Sequence, residues 1–136
     1  MANMKSLAVL RVVAVTHAVA VCLQPVLAGS YLNGSSAAVR IHEPIGLGVA
    51  FLCLGQLLIA TIYWRSGGRR WPVPLTLAIL AAEAVQIAMG YRHNLVLHIP
   101  LGITLVGATI AFAVWTCRQA ARVRRTKKQA KEQVPA

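Results

Sequence analysis

Four stretches of this chain run for about twenty residues with almost no charge, the length a helix needs to cross hydrocarbon, and nothing else constrains the fold as strongly. They are Val12 to Leu32, Pro44 to Trp64, Trp71 to Gly90 and Leu97 to Cys117. A backbone inside a bilayer must satisfy its own hydrogen bonds, so each stretch reads as a transmembrane helix. Of 136 residues, 57% are hydrophobic and 12% charged; an ordinary soluble domain carries about 25% charged residues. The expected spans, at 7–30, 43–64, 71–91 and 97–117, fill the chain up to a basic tail at 118–136. The expected fold class is all-α: one integral membrane four-helix bundle over residues 1–117, with no soluble domain.

A net charge of +11 on a soluble surface would suggest nucleic acid. Its distribution suggests a membrane topology instead. Lys5 and Arg11 flank the first span, Arg65, Arg69 and Arg70 separate the second and third, and Arg118, Arg122, Arg124, Arg125, Lys127, Lys128 and Lys131 follow the fourth. Four crossings put all of these on one side, leaving only Arg40 and Arg92 on the other. By the positive-inside rule both termini are expected in the cytoplasm, in a multi-pass protein of the cell membrane. Anionic lipid is then sufficient company for the tail, and no nucleic-acid partner is expected. The first thirty residues also carry a weak cleavage-site pattern, Val26-Leu27-Ala28, but are expected to stay as the first span.

The chain contains an internal repeat. Arg40-Ile41-His42-Glu43-Pro44-Ile45-Gly46 aligns without gaps with Val96-Leu97-His98-Ile99-Pro100-Leu101-Gly102, as H-x-P-[I/L]-G. Upstream, one span closes on Gln24 to Gly29 and its counterpart on Gln86 to Gly90. Each half is an outgoing helix, an outer loop and an incoming helix, so the bundle is expected to be two parallel-repeat helix hairpins related by a twofold axis along the membrane normal. His42 and His98 then sit at one depth near the outer face, and the prolines suit a first helical turn. Gly46 and Gly102, four residues on, lie one turn deeper on the same faces. Two histidines approaching a centre from opposite sides, each with a glycine beneath, suit one bis-histidine haem b inside a four-helix bundle. Arg40 and Arg92 are the cations placed to meet its propionates, because a guanidinium pairs with a carboxylate through two hydrogen bonds. Tyr31, Tyr91 and His93 belong to the same rim. Zinc on the two histidines would need Glu43 and His93 to complete its ligands.

Two further ionisable groups fall inside spans, where they are costly. His17 is near mid-span and is expected either to pair with a polar neighbour or to contact the porphyrin edge. Glu83 shares a face with Gln86 and Gly90, and is expected to be neutral and hydrogen-bonded, with proton handling or quinone contact as the functional alternative. Gln24 lies above His17 on its face and can extend either network. Cys22, Cys53 and Cys117 have no C-x-x-C spacing and read as small apolar residues, with neither a disulfide nor a thiolate metal site expected. The small residues that include Gly48, Gly55 and Gly107 read as helix packing, and Trp64, Trp71 and Trp115 as an interfacial belt.

These residues resemble one four-helix half of haem A synthase. The Gln24–Gly29 and Gln86–Gly90 segments and Leu97-His98 are similar to that family's Q-x-x-x-G and L-H segments, over roughly residues 10 to 117. The resemblance implies an outward-side b-type haem held by His42 and His98. Two features of the family are missing. Val39 stands where its catalytic half carries a glutamate, and the outer-loop cysteine pair is absent. The expectation is therefore a small b-type membrane cytochrome that transfers electrons and is not an enzyme, with a quinone or a protein as redox partner and a homo-oligomer as an open form. The alternatives are a haem sensor or carrier, and a haem-free accessory subunit of a membrane complex.

Overall fold

The computed structural model describes residues 2–122, and every described regular element is helical. Four long helices follow in order, α1 (Ala2–Leu32), α2 (Ser36–Arg65), α3 (Pro72–Tyr91) and α4 (Leu95–Cys117), then a single 3-10 turn at Gln119–Arg122. All four are long and apolar enough to cross a membrane. Each packs on its neighbours in the chain and α4 closes on α1, so α1 faces α3, and α2 faces α4, across the diagonals of a square. Adjacent helices run antiparallel. Ser6 meets Ser66 and Arg11 meets Thr116 at the end that holds the termini, while Tyr91 meets Glu43 at the opposite end, with the two short outer loops. The tail residues Arg124, Arg125, Lys127, Lys128 and Lys131 lie outside the described residues.

The helices extend beyond the apolar runs. α2 begins at Ser36, so Pro44 lies well inside it instead of in its first turn, and Pro100 likewise follows the start of α4 at Leu95. Apolar character delimits the stretch suited to hydrocarbon, but helical hydrogen bonding continues through polar residues such as Arg40 and Glu43 that solvent can cover. The turn before α4 is set by His93 at φ 53° and by Asn94, whose side chain accepts from the Leu97 N–H, satisfying one of the free donors of a helix start.

Each helix buries one seam with alternating steps of three and four residues, the spacing of coiled-coil packing. The α1 seam is Leu7, Leu10, Ala14, His17 and Val21, and α2 contributes Val49, Cys53, Gln56, Ala60 and Tyr63. The α3 seam is Pro72, Thr76, Ile79 and Glu83, and α4 contributes Leu105, Thr109, Phe112 and Thr116. Four more pairs continue the same steps toward the outer loops, now half-buried: Gln24 and Ala28, His42 and Gly46, Gln86 and Gly90, His98 and Gly102. The bundle is thus sealed below and open above. Its outer faces are apolar, with Val12, Val19, Phe51, Leu58 and Ile103 exposed, while its most polar residues point inward.

The sealed end is tied by hydrogen bonds to the carbonyls that finish α4, groups that lack helical partners. Arg11 donates to the Thr116 carbonyl from Nε at 3.2 Å and from Nη2 at 3.0 Å. Arg69 Nε reaches the Ala120 carbonyl and the buried Tyr63 hydroxyl reaches that of Ala121 at 2.7 Å. A cation at a helix C-terminus also complements the helix dipole. Trp71, Phe112 and Trp115 stack beside them, and Trp71 and Trp115 have ring centroids 4.3 Å apart.

Candidate functional site

The seams carry every polar side chain that the bundle turns inward, and these gather at two levels. The upper level crosses the α2–α4 diagonal. His42 and His98 face each other there with ring centroids 6.4 Å apart and ring planes at 61°. Each ring is anchored through Nδ1 by the outgoing helix of its own half. His98 Nδ1 lies 2.9 Å from the Gln86 carbonyl, to which it donates. His42 Nδ1 lies 2.9 Å from the Gln24 carboxamide, which in one orientation of the amide also bonds the His42 carbonyl and the Gly46 N–H. That orientation donates to Nδ1. The opposite one accepts a proton from it, so the Gln24 amide sets the His42 tautomer.

Such anchoring leaves Nε2 of both rings for a shared ligand, and histidines that bind metals characteristically donate their other N–H to a carbonyl. The spacing suits a linear nitrogen–metal–nitrogen arrangement. A metal–imidazole bond of about 2 Å and about 1 Å from nitrogen to ring centre, on each side, sum to about 6 Å between centroids. Gln86 Oε1 is buried there without a partner among the described residues.

The glycines make room for the glutamines. A Cβ on Gly102 would meet Gln86 Nε2 at 2.8 Å, and one on Gly46 would meet Gln24 Oε1 at 3.8 Å. Gly90, not Gly29, is the glycine that touches a histidine ring: its Cβ would come within 3.1 Å of His98 Cε1, whereas nothing lies within 4 Å at Gly29. The seam step from Gln24 lands on Ala28, so the two Gln-to-Gly segments differ in register by one residue. Arg40 and Arg92 are exposed and make no ion pair among the described residues. Glu43 accepts from the Tyr91 hydroxyl at 2.6 Å, and His93 occupies the turn before α4.

The lower level crosses the other diagonal, from α1 to α3. His17 Nε2 lies 2.7 Å from Glu83 Oε1 and its Nδ1 lies 3.1 Å from Gln56 Oε1. All three residues are buried, His17 completely. Of the two roles expected for His17, polar pairing is the one observed, and the ring sits seven residues below Gln24, about 10 Å down the helix. Cys53 belongs to this group as well. Its thiol points to the Thr76 carbonyl at 3.8 Å, and its sulfur lies within 4.8 Å of ligand atoms of His17 and Glu83. The roles of Cys53, Gln56 and Thr76 were not apparent from residue type, yet three- and four-residue steps from His42 along α2 reach Cys53 and Gln56 directly.

No family model, curated protein or solved structure matches this chain.

Proposed function

We propose that the chain spans a membrane four times and binds one haem b between His42 and His98, as a small electron-transfer cytochrome. The observation that carries the reading is the facing histidine pair, 6.4 Å between centroids with both Nδ1 atoms engaged. Apolar outer faces around an inward polar seam are the arrangement hydrocarbon favours. Twelve of the fourteen Lys and Arg residues lie toward the end with the termini, so that end is assigned to the cytoplasm and the histidines to the outer side.

When bound, haem supplies a one-electron ferric–ferrous couple. The residues of the chain do the rest. Gln24 and the Gln86 carbonyl fix the ring orientations and keep Nε2 free. Val21, Val49, Ile79 and Leu105 form an apolar floor beneath the pair, which favours the lower charge of the reduced site. Arg40 and Arg92 stand at the exposed rim for propionates. With both axial positions taken by histidine, electron transfer is favoured over oxygen chemistry. A quinone or a redox protein is the partner class. The half-burial of both rings favours reversible haem loading as the second reading, a sensor or carrier with the same ligands.

Oxidised and reduced spectra of the detergent-purified protein test this. A six-coordinate low-spin b-type spectrum is expected, and it should disappear in the His42→Ala/His98→Ala double variant. No Soret band after haem supplementation, or a spectrum unchanged in that variant, overturns it.

A further inference from the structure

The lower polar cluster is more than a hydrogen-bonded pair of helices. A single His17–Glu83 contact already satisfies the demand that buried charge be paired. Yet Glu83 Oε2, Gln56 Nε2 and Thr76 Oγ1 remain buried without partners among the described residues, and unpaired polar atoms inside a bundle cost about 1–3 kcal/mol each. Three helices have also brought one imidazole, one thiol and one carboxylate together, with their ligand atoms all within 4.8 Å of one another. Cys53 has only a long contact to a carbonyl to hold it there.

We propose that His17, Cys53 and Glu83 form a buried binding site for a divalent metal ion of the zinc class, separate from the histidine pair above.

The chemistry of the donors supports an ion of this type. Tetrahedral zinc takes nitrogen at about 2.0 Å and sulfur at about 2.3 Å, which sets ligand atoms about 3.3–3.7 Å apart. The present atoms bracket that range, since the Nε2–Oε1 distance of 2.7 Å must open and the longer separations must close. Small rotations of three side chains achieve both. His17 Nε2, Cys53 Sγ and the two oxygens of Glu83 make four donors, and the idle Oε2 gains a partner. His17 Nδ1 keeps its hydrogen to donate to Gln56 Oε1, the outer contact a metal-bound histidine needs.

Charge makes the stronger argument. A thiolate and a carboxylate carry two negative charges and a neutral imidazole carries none, so a divalent ion leaves the whole set neutral. In an apolar interior an uncompensated charge is far more costly than a neutral cluster. Binding displaces the Cys53 thiol proton and the proton held between Glu83 and His17, and both pass to water. With no open position, the site would join α1, α2 and α3 and would not act on a substrate.

The test is zinc alone, added to the full-length detergent-purified protein after chelator treatment and then desalted, with metal counted per chain. One ion per chain is expected in the wild type and in Cys22→Ser, and also in His98→Ala, which separates this site from the upper pair. Cys53→Ser conserves volume and should lower zinc affinity at least tenfold, and His17→Gln should abolish retention. Cobalt in place of zinc should give a thiolate-to-cobalt charge-transfer band that Cys53→Ser lacks. Failure of the wild type to retain zinc overturns the proposal, as does undiminished retention in Cys53→Ser. Should His17→Gln not fold, the Cys53→Ser comparison still decides. Loss of retention in His98→Ala alone would assign the ion to the upper level and overturn it too.

Discussion

The two halves of the bundle are alike at one level and unlike at the other. Near the outer loops each half presents the same set, Gln24, His42 and Gly46 against Gln86, His98 and Gly102. One level down, seam positions that correspond by the same offsets hold opposite chemistry: His17 against Ile79, Val21 against Glu83, Gln56 against Phe112, Cys53 against Thr109. A seam therefore does not dictate what it carries. The alternating steps aim a residue at the centre, and the residue type then decides whether the position seals the core or builds a polar site. Likeness at the upper level suits a ligand held from two sides. Unlikeness below concentrates the polar groups on α1, α2 and α3, with only Thr109 on α4.

The likeness predicts that neither upper histidine can replace the other. His42→Ala or His98→Ala alone should abolish the low-spin six-coordinate spectrum, and a single variant that keeps it would break the symmetry argument. The unlikeness predicts the next largest effect. Glu83→Val makes its position match Val21 but strands His17, and should destabilise the protein by about 3–5 kcal/mol; adding His17→Ile should recover most of that loss, because a well-packed apolar pair replaces the buried polar one. Unfolding in graded detergent measures both. A double variant no more stable than the single would show that the polar level does more than fill space.

Smaller effects probe how the two anchors differ. Gln24 holds His42 with its side chain, whereas Gln86 holds His98 with its backbone carbonyl. Gln24→Ala should therefore weaken haem binding about 10–100-fold, the usual effect of removing such a contact. Gln86→Ala should leave the His98 anchor in place and cost less. Titration of haem into the apoprotein reads both. Gly90→Ala pushes a methyl group against His98 at 3.1 Å, an overpacking of about 1 kcal/mol. Gly46→Ala, with its nearest neighbour at 3.8 Å, should leave binding unchanged.

Much of this was legible before any coordinates. Charge-free length marks four helices, because hydrocarbon tolerates nothing else, and the H-x-P-[I/L]-G repeat marks the histidine pair. Helix starts were less legible, since hydropathy reports solvent preference and α2 continues through Ser36 and Arg40 regardless. Arg11 and Arg69 were read only as flanking charge, yet they hold the carbonyls at the end of α4; a charge count records sign and side but not reach. Cys53 was taken for a small apolar residue, and only the register of α2 against α1 and α3 places it beside His17 and Glu83.

Pro25, Pro44 and Pro100 lie inside α1, α2 and α4, all in the upper part of the bundle, while α3 has prolines only at its opposite end. Each takes one rung out of its helix, leaving the carbonyls of Val21, Arg40 and Val96 without their usual N–H. Three of the four walls around the histidines can therefore flex outward while α3 stays stiff and the stacked aromatics below hold the base. The molecule has the mechanics of a collet, with jaws that spread to admit a broad flat guest and a shank that does not yield.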